Sequence, residues 1–263
     1  MIKTNPKGLK DFQTCALLYE LRHKEQTPET ILGRDLMTEK FENTIKKVIN
    51  YFLHKKQSGF TPSYSALLNR WQKEWFSEDT SIQDIITDKH ETVYGNMSSL
   101  TSKAAASLLS FYEYFSDPEI IPIGISEQYF LPVNEVVVSG EFDLIFHKNK
   151  KINVIKWVFN YKTSHEHLYM FDFACMEYAY LKKKEGKPTP VTFGYYDILA
   201  SSPEIKMIET SREDLEAVDY WTGELSSCNI FAPRRGLTYY CKKCPFDLPC
   251  SKWSKWNKEI EEK

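Results

Sequence analysis

No apolar stretch in these 263 residues approaches the roughly 20 needed to span a membrane, so the sequence reads as a protein without a membrane partner. The opening residues, MIKTNPKGLKDFQ, lack the apolar run of a secretory signal, which predicts an intracellular protein, cytoplasmic or nucleoid-associated. Neither sign of charge dominates: 34 Lys and Arg stand against 36 Asp and Glu, for a net charge of -2. A protein that coats long stretches of nucleic acid would be basic overall. An enzyme whose basic groups line a single groove is still compatible with this balance. The chain has no GxxxxGK[ST] and no GxSxG, so neither a P-loop nor a serine nucleophile elbow is present. Internal repeats and low-complexity stretches are also missing. What remains is a globular composition, with 42% apolar and 27% charged residues. At roughly 150 residues per domain, the length allows one large domain or two small ones.

Cysteine is the informative residue. Six occur, and three fall within ten positions, in the segment Tyr240-Cys241-Lys242-Lys243-Cys244-Pro245-Phe246-Asp247-Leu248-Pro249-Cys250. In a reducing compartment a disulfide framework is disfavoured. A C-x-x-C turn brings two sulfurs to one side, and Cys250 adds a third after a short Pro-containing loop. A closed site needs a fourth ligand, and Cys15, Cys175 and Cys228 are the thiol candidates. Spacing alone leaves both zinc and an iron–sulfur cluster open.

The first half reads as helical, over residues 9–23, 38–53, 63–77 and 99–115, from apolar residues at helical spacing. After Asp117-Pro118 the pattern changes to three β-rich runs: IIPIGISEQYFLP, VVVSGEFDLIF and KINVIKWVFNYK. The turn Lys148-Asn149-Lys150 marks a hairpin between the last two. A helix from about Glu166 to Lys184, a strand from Pro190 to Leu199 and a helix from about Arg212 to Leu225 precede the Cys-rich tail. The 38 aromatic side chains (16 Tyr, 16 Phe, 6 Trp) read chiefly as core.

Side chains alternate across a strand. In the second run Val136, Val138, Phe142, Leu144 and Phe146 therefore share one face, and Glu141 and Asp143 the other. In the third, Asn160 and Lys162 share a face opposite Phe159 and Tyr161. An acid on one strand and Asn-x-Lys on its neighbour can converge. Acids beside a Lys can hold a divalent ion and position an attacking water. The competing reading is the solvated face of a half-exposed sheet.

Gly140-Glu141-Phe142-Asp143, then Val158-Phe159-Asn160-Tyr161-Lys162-Thr163, then a helix carrying Tyr178, resembles the PD-(D/E)XK nuclease superfamily, in particular its RecB-like branch. That branch reads approximately G-x-x-D, acid-x-Lys, then Gln-x-x-x-Tyr. One early Cys followed far downstream by C-x-x-C and a further Cys resembles the iron–sulfur members, the CRISPR-adaptation exonucleases and the AddB-type nuclease domains. The resemblance runs from about Leu9 to Trp253. It implies an α/β fold with a restriction-endonuclease-like core, a mixed sheet flanked by helices, carrying an N-terminal helical elaboration and a C-terminal Cys-rich Fe–S segment. The whole chain would be a single RecB-like domain, with a helical part over 1–118, a nuclease core over 119–200 and a C-terminal helix and Cys-rich segment over 201–263. By the same resemblance Cys15, Cys241, Cys244 and Cys250 would hold a [4Fe–4S] cluster, zinc being the alternative. Such a cluster would act as a staple joining the two ends of the chain. Asp143, Asn160, Lys162 and Tyr178 would form the catalytic set, with Mg or Mn at Asp143.

The sequence also departs from this pattern. Asn160 stands where the second acid belongs, and an amide oxygen is a poorer ligand for Mg or Mn than a carboxylate. Ala174 stands in place of the Gln. The helix over 38–53 lacks the His of many active members, Phe41 taking about that position. Glu177 is the nearest candidate for a relocated acid, with Glu141 and Glu127 on adjacent strands. The expectation is an Fe–S protein acting in DNA processing or binding, on ends or single strands or within a larger complex, whose catalytic centre is degenerate. The alternatives are an active metal-dependent DNA exonuclease and a zinc-stabilised α/β scaffold unrelated to nucleases. Lys182, Lys183, Lys184 and Lys187 are candidate phosphate contacts, and His165 and His167 are loop residues near the site.

Overall fold

The computed structural model describes residues 1–26, 33–77, 97–159, 166–183, 190–200, 204–208 and 210–232, with positions 241, 244, 246 and 250. Strand β1 (Ile2–Thr4) is followed by α1 (Pro6–Thr14), α2 (Ala16–Tyr19) and a π-helical turn (Glu20–Lys24). The helices α3 (Gly33–Gln57), α4 (Tyr64–Trp75) and α5 (Met97–Phe115) come next, then the strands β2 (Ile121–Val133), β3 (Val136–Lys148) and β4 (Lys151–Val158). Helix α6 (Glu166–Lys183), β5 (Val191–Asp197), β6 (Ile205–Met207) and α7 (Arg212–Ser227) complete the regular elements.

Local chemistry fixes several boundaries. Asn5 caps α1 by accepting from the Gly8 N–H at 2.7 Å, and Pro6 fills the first helical position, where its missing N–H costs nothing. Ser63 caps α4, and Ser211 with Asp214 forms a reciprocal capping box on α7. Asn149 and Lys150 both adopt positive φ (51° and 63°). That pair is the two-residue turn which suits the twist of a hairpin, and it fixes the β3–β4 register from Lys148↔Lys151 back to Leu144↔Ile155.

The sheet is mixed. β2 runs antiparallel along one edge of β3, while β1 (parallel) and β4 (antiparallel) share the other edge. β5 lies parallel to β4, connected through α6, and β6 pairs antiparallel with β5. Because β1 meets β3 at Val136–Val138 and β4 meets it at Leu144–Lys148, a gap opens along that edge over residues 139–143. Asp143 stands at its rim.

Two hydrophobic cores sandwich the sheet. The first packs α3, α4 and α5 against it through Phe41, Phe52, Trp71, Phe111, Phe115 and Trp157. The second packs α1, α6 and α7 through Leu9, Phe12, Phe171, Ala174, Val218 and Leu225. The apolar residues of β3 divide between them: Leu144 and Phe146 enter the first core, and Val136, Val138 and Phe142 the second. The switch falls where β2 departs from regular geometry. Ser126 has φ 50°, and the β2–β3 register is recorded at Ile125↔Leu144 and Glu127↔Phe142 but not between them. Asp143 therefore sits at the seam of the two cores.

This architecture agrees with the fold class expected from the sequence, and it corrects several details. The helix over 9–23 is not continuous: Cys15 is extended (φ -163°, ψ 119°) and separates α1 from α2. Thr14 turns its hydroxyl back onto the Lys10 carbonyl at 2.8 Å, a bond that competes with helix continuation. The third β run ends as a strand at Val158. β1 and β6, three residues each, are too short to give an alternation signal, and β1 means that the N-terminal part also contributes to the sheet.

Candidate functional site

After Ile155, β4 leaves β3, and the carboxylate of Asp143 occupies the fork. Its Oδ2 accepts the backbone N–H of Trp157 at 3.0 Å, and the side chain is almost fully buried. The ammonium of Lys156 lies 3.5 Å from the same Oδ2. It also lies 3.9 Å from Oδ1 of Asp172, which reaches across from α6. One cation thus stands between two carboxylates from different elements. Glu141 is near enough to act on Lys156 electrostatically and accepts from the Gln128 amide at 2.8 Å.

Burial opposes the charge on Lys156, but Asp143, Asp172 and Glu141 outweigh it and hold its pKa above the ordinary lysine value. Asp172 moves upward as well. Burial is the main cause, Asp143 adds to it, and Lys156 and Lys46 only partly offset the two. A single ammonium does not neutralise this many acids. One α6 turn further on, the buried Cys175 thiol is pushed well up by burial and by Asp172. Tyr129 is raised similarly, with Cys175, Asp172 and Asp143 adding to burial. Its ring and hydroxyl fill the space that a Cβ at Gly140 would need, which explains the glycine of the Gly140-x-x-Asp143 motif.

The sign of the Asp172 shift gives a prediction. Between the unfolded pKa near 3.8 and its raised folded value, the folded chain keeps a proton that the unfolded chain has lost. Stability from this group is present at low pH and is lost as pH rises through the folded pKa. Relative to Asp172→Asn, the wild-type protein should lose stability as urea unfolding is repeated from pH 4 to pH 8. A constant gap between the two would mean that Asp172 titrates normally.

The residues expected from the sequence distribute as follows. Asp143 is in the fork. Asn160, Lys162, His165, Lys184 and Lys187 lie outside the described residues. Tyr178 packs against the second core beneath the Lys182 ammonium, 4.6 Å from its ring centre. Ala174 is wholly buried, and Glu177 is partly exposed on the same helix. On α6 it is Asp172 that shares the Lys156 ammonium with Asp143. Lys182 donates to the Pro132 carbonyl at 3.3 Å, and Lys183 pairs with Glu127 at 2.6 Å, both at the exposed surface. Lys156 and Asp172 were missed by sequence reasoning. Counting back from a tight Asn149-Lys150 turn would have put residue 156 opposite Asp143.

The cysteines form a second candidate site. Cys15, Cys244 and Cys250 pack with Leu18 around a small third core of Leu17, Leu21 and Phe246. Burial raises the pKa of the Cys244 thiol; the N–H of Phe246 opposes this, and the Cys15 and Cys241 thiols push it further up. The Cys244 N–H reaches the Cys241 carbonyl, and the Cys250 N–H donates to the Phe246 carbonyl at 3.0 Å. Cys175 and Cys228 lie instead against the second core. Among the described residues no three His, Cys, Asp or Glu side chains are grouped as they would be around a single metal ion.

Sequence comparison decides the family. The PD-(D/E)XK nuclease superfamily matches residues 3–251, nearly the whole chain. The chain belongs to the PD-(D/E)XK nuclease superfamily. No curated protein matches it in sequence. Among solved structures, a "Putative exonuclease" from Eubacterium rectale is similar, with a TM-score of 0.50 and 12% identity. The match covers 92% of this chain and 87% of that one. At such identity the likeness bears on fold alone, and it agrees with the restriction-endonuclease-like sheet and its flanking helices. In this PD-(D/E)XK chain, the place between Asp143 and Asp172 is taken by the Lys156 ammonium. No helix among the described residues is long and apolar enough to cross a membrane.

Proposed function

We propose that this PD-(D/E)XK protein acts on DNA as a binding or processing component with a degenerate catalytic centre, and that a [4Fe–4S] cluster on Cys15, Cys241, Cys244 and Cys250 staples its two ends. The observation that carries the first part is the Lys156 ammonium, 3.5 Å from Asp143 and 3.9 Å from Asp172, where a metal-dependent nuclease needs its cation. A tethered ammonium offsets part of the carboxylates' charge but offers no open coordination position for water or phosphate. The loss of an acid at Asn160 and of an amide at Ala174 points the same way. For the cluster, support comes from the four-sulfur donor set and from the shared nest of Cys15, Cys244 and Cys250 with Phe246.

A second reading has its own support. Two acids and a lysine, with Asp172 as the relocated acid, are also the minimum set for metal-assisted hydrolysis. End-labelled single- and double-stranded DNA incubated with Mg or Mn separates the two. The degenerate reading expects binding without cleavage, unchanged by Asp143→Asn. Cleavage that Asp143→Asn abolishes would establish the active exonuclease instead.

A further inference from the structure

The π-helical turn beside the cysteines carries more than connectivity. Its wider winding, marked by the Glu25 N–H donating to the Glu20 carbonyl at 2.9 Å, sets Arg22 and His23 on the same buried acid. Arg22 Nη1 lies 2.9 Å from Oδ2 of Asp11, and His23 Nε2 lies 2.7 Å from the same oxygen. Asp11 is 8% exposed, so a carboxylate is held inside the protein at this point. Burial works against its charge, but Arg22 and His23 win and hold its pKa below the ordinary aspartate value. Asp11 in turn fixes the Arg22 guanidinium, whose other face lies over Phe246, 5.8 Å from the ring centre. Phe246 belongs to the cysteine nest, and Arg22 acts electrostatically on Cys244. The arrangement runs Asp11, Arg22, Phe246, cysteines.

Arginine suits this position. Its planar, permanently charged fork can pair with a carboxylate and stack on a ring at once, which a lysine cannot do in the same geometry. Four thiolates would concentrate negative charge in a small volume, and a fixed cation at its edge would offset that charge.

We propose that Arg22, clamped by Asp11, is the positioning residue that supplies the counter-charge to the cysteine-bound cluster and so sets how readily that cluster is retained and reduced. This inference rests on the cluster reading given under Proposed function. A cation near the cluster favours the reduced, more negative form. Removing it should make reduction harder, by about a tenfold change in the oxidised-to-reduced ratio at fixed potential, or about 59 mV for one electron.

The test uses the full chain purified without oxygen, as wild type, Arg22→Met and Arg22→Lys. A redox titration followed by visible absorbance gives the midpoint potential, and the decay of that absorbance in air gives retention. Arg22→Met should shift the midpoint to more negative potential and bleach several-fold faster, and Arg22→Lys, which keeps the charge, should recover most of the midpoint. Equal midpoints for wild type and Arg22→Met would overturn the proposal. So would equal shifts in Arg22→Met and Arg22→Lys, since the role would then be shape rather than charge. A colourless wild-type protein after iron and sulfide reconstitution would overturn the cluster reading itself. A coloured wild type with an unmoved variant removes only the role of Arg22.

Discussion

Lys156→Met is expected to cost about 3–5 kcal/mol of folding stability, the loss typical when one partner is removed from a buried ion pair. Asp143 is almost fully buried, and Asp172 lies beside it with its charge already disfavoured by burial. Without the ammonium two carboxylates face each other in the fork, with the Trp157 N–H and the more distant Lys46 to relieve them. The informative arm is metal. If Lys156 occupies the place of a divalent ion, the variant frees two acids to bind one, and Mn²⁺ should stabilise Lys156→Met by RT ln(1 + [L]/Kd) while leaving wild type unmoved. Thermal unfolding of both proteins with and without millimolar Mn²⁺ makes the comparison. Equal stabilisation of wild type would show that the ammonium does not exclude the metal, and the active reading would gain. If the variant fails to fold alone, Lys156→Gln removes the same charge but leaves the acids a hydrogen-bond donor.

That result bears on how this fold holds acids together at the fork. The fork between β3 and β4 brings acids together whether or not a metal arrives, and an unpaired acid there is costly. A lysine on the facing strand resolves the conflict from within the chain. The long hairpin, the seam at Ser126 and the close approach of Tyr129 over Gly140 all remain necessary for the fold. Gly140 and Asp143 can therefore persist in the sequence for structural reasons.

Much of the fold was legible because its elements are long and periodic. The buried stripe of α3, including Phe41, Ile45, Val48, Ile49 and Phe52, follows the helical repeat, and the three strand runs alternate or are flanked by turns. The site was less legible. Asp143 is marked by the motif Gly140-Glu141-Phe142-Asp143, but Lys156 lies in a run, VIKWVF, that reads simply as strand. Its partner is set by the tight turn at Asn149 and Lys150, whose positive φ values no composition argument specifies. Asp172 is hidden in the apolar sequence FDFACM, where motif spacing drew attention to Ala174 and Tyr178. The break at Cys15 is invisible for a related reason: the apolar spacing of 9–23 continues across it, while a single side-chain bond from Thr14 accompanies the change of direction. In each case the deciding contact is non-local or involves one bond, and periodicity senses neither.

Cys244→Ala is the second large effect. The third core offers few described apolar groups, Leu17, Leu21 and Phe246, and burying a side chain such as Phe contributes about 1.5–3 kcal/mol. Ordering backbone costs about 1–2 kcal/mol per residue, so a handful of positions in the Cys-rich segment already exceeds what Phe246 returns. The proposed cluster would change that balance, because ligands at Cys15 and Cys250 would join points about 235 residues apart. A cross-link over so long a loop is worth about 5 kcal/mol on the chain-entropy account of disulfides. For a domain of this size that corresponds to roughly 10 °C or more in Tm. Cys244→Ala should therefore lose visible absorbance, unfold at lower temperature and become more open to trypsin. Chelator treatment of wild type should reproduce all three changes, whereas Cys175→Ala, whose thiol lies in the second core, should keep its absorbance. If Cys244→Ala instead retains the wild-type Tm and protease resistance, packing alone holds the two ends together and the staple is refuted.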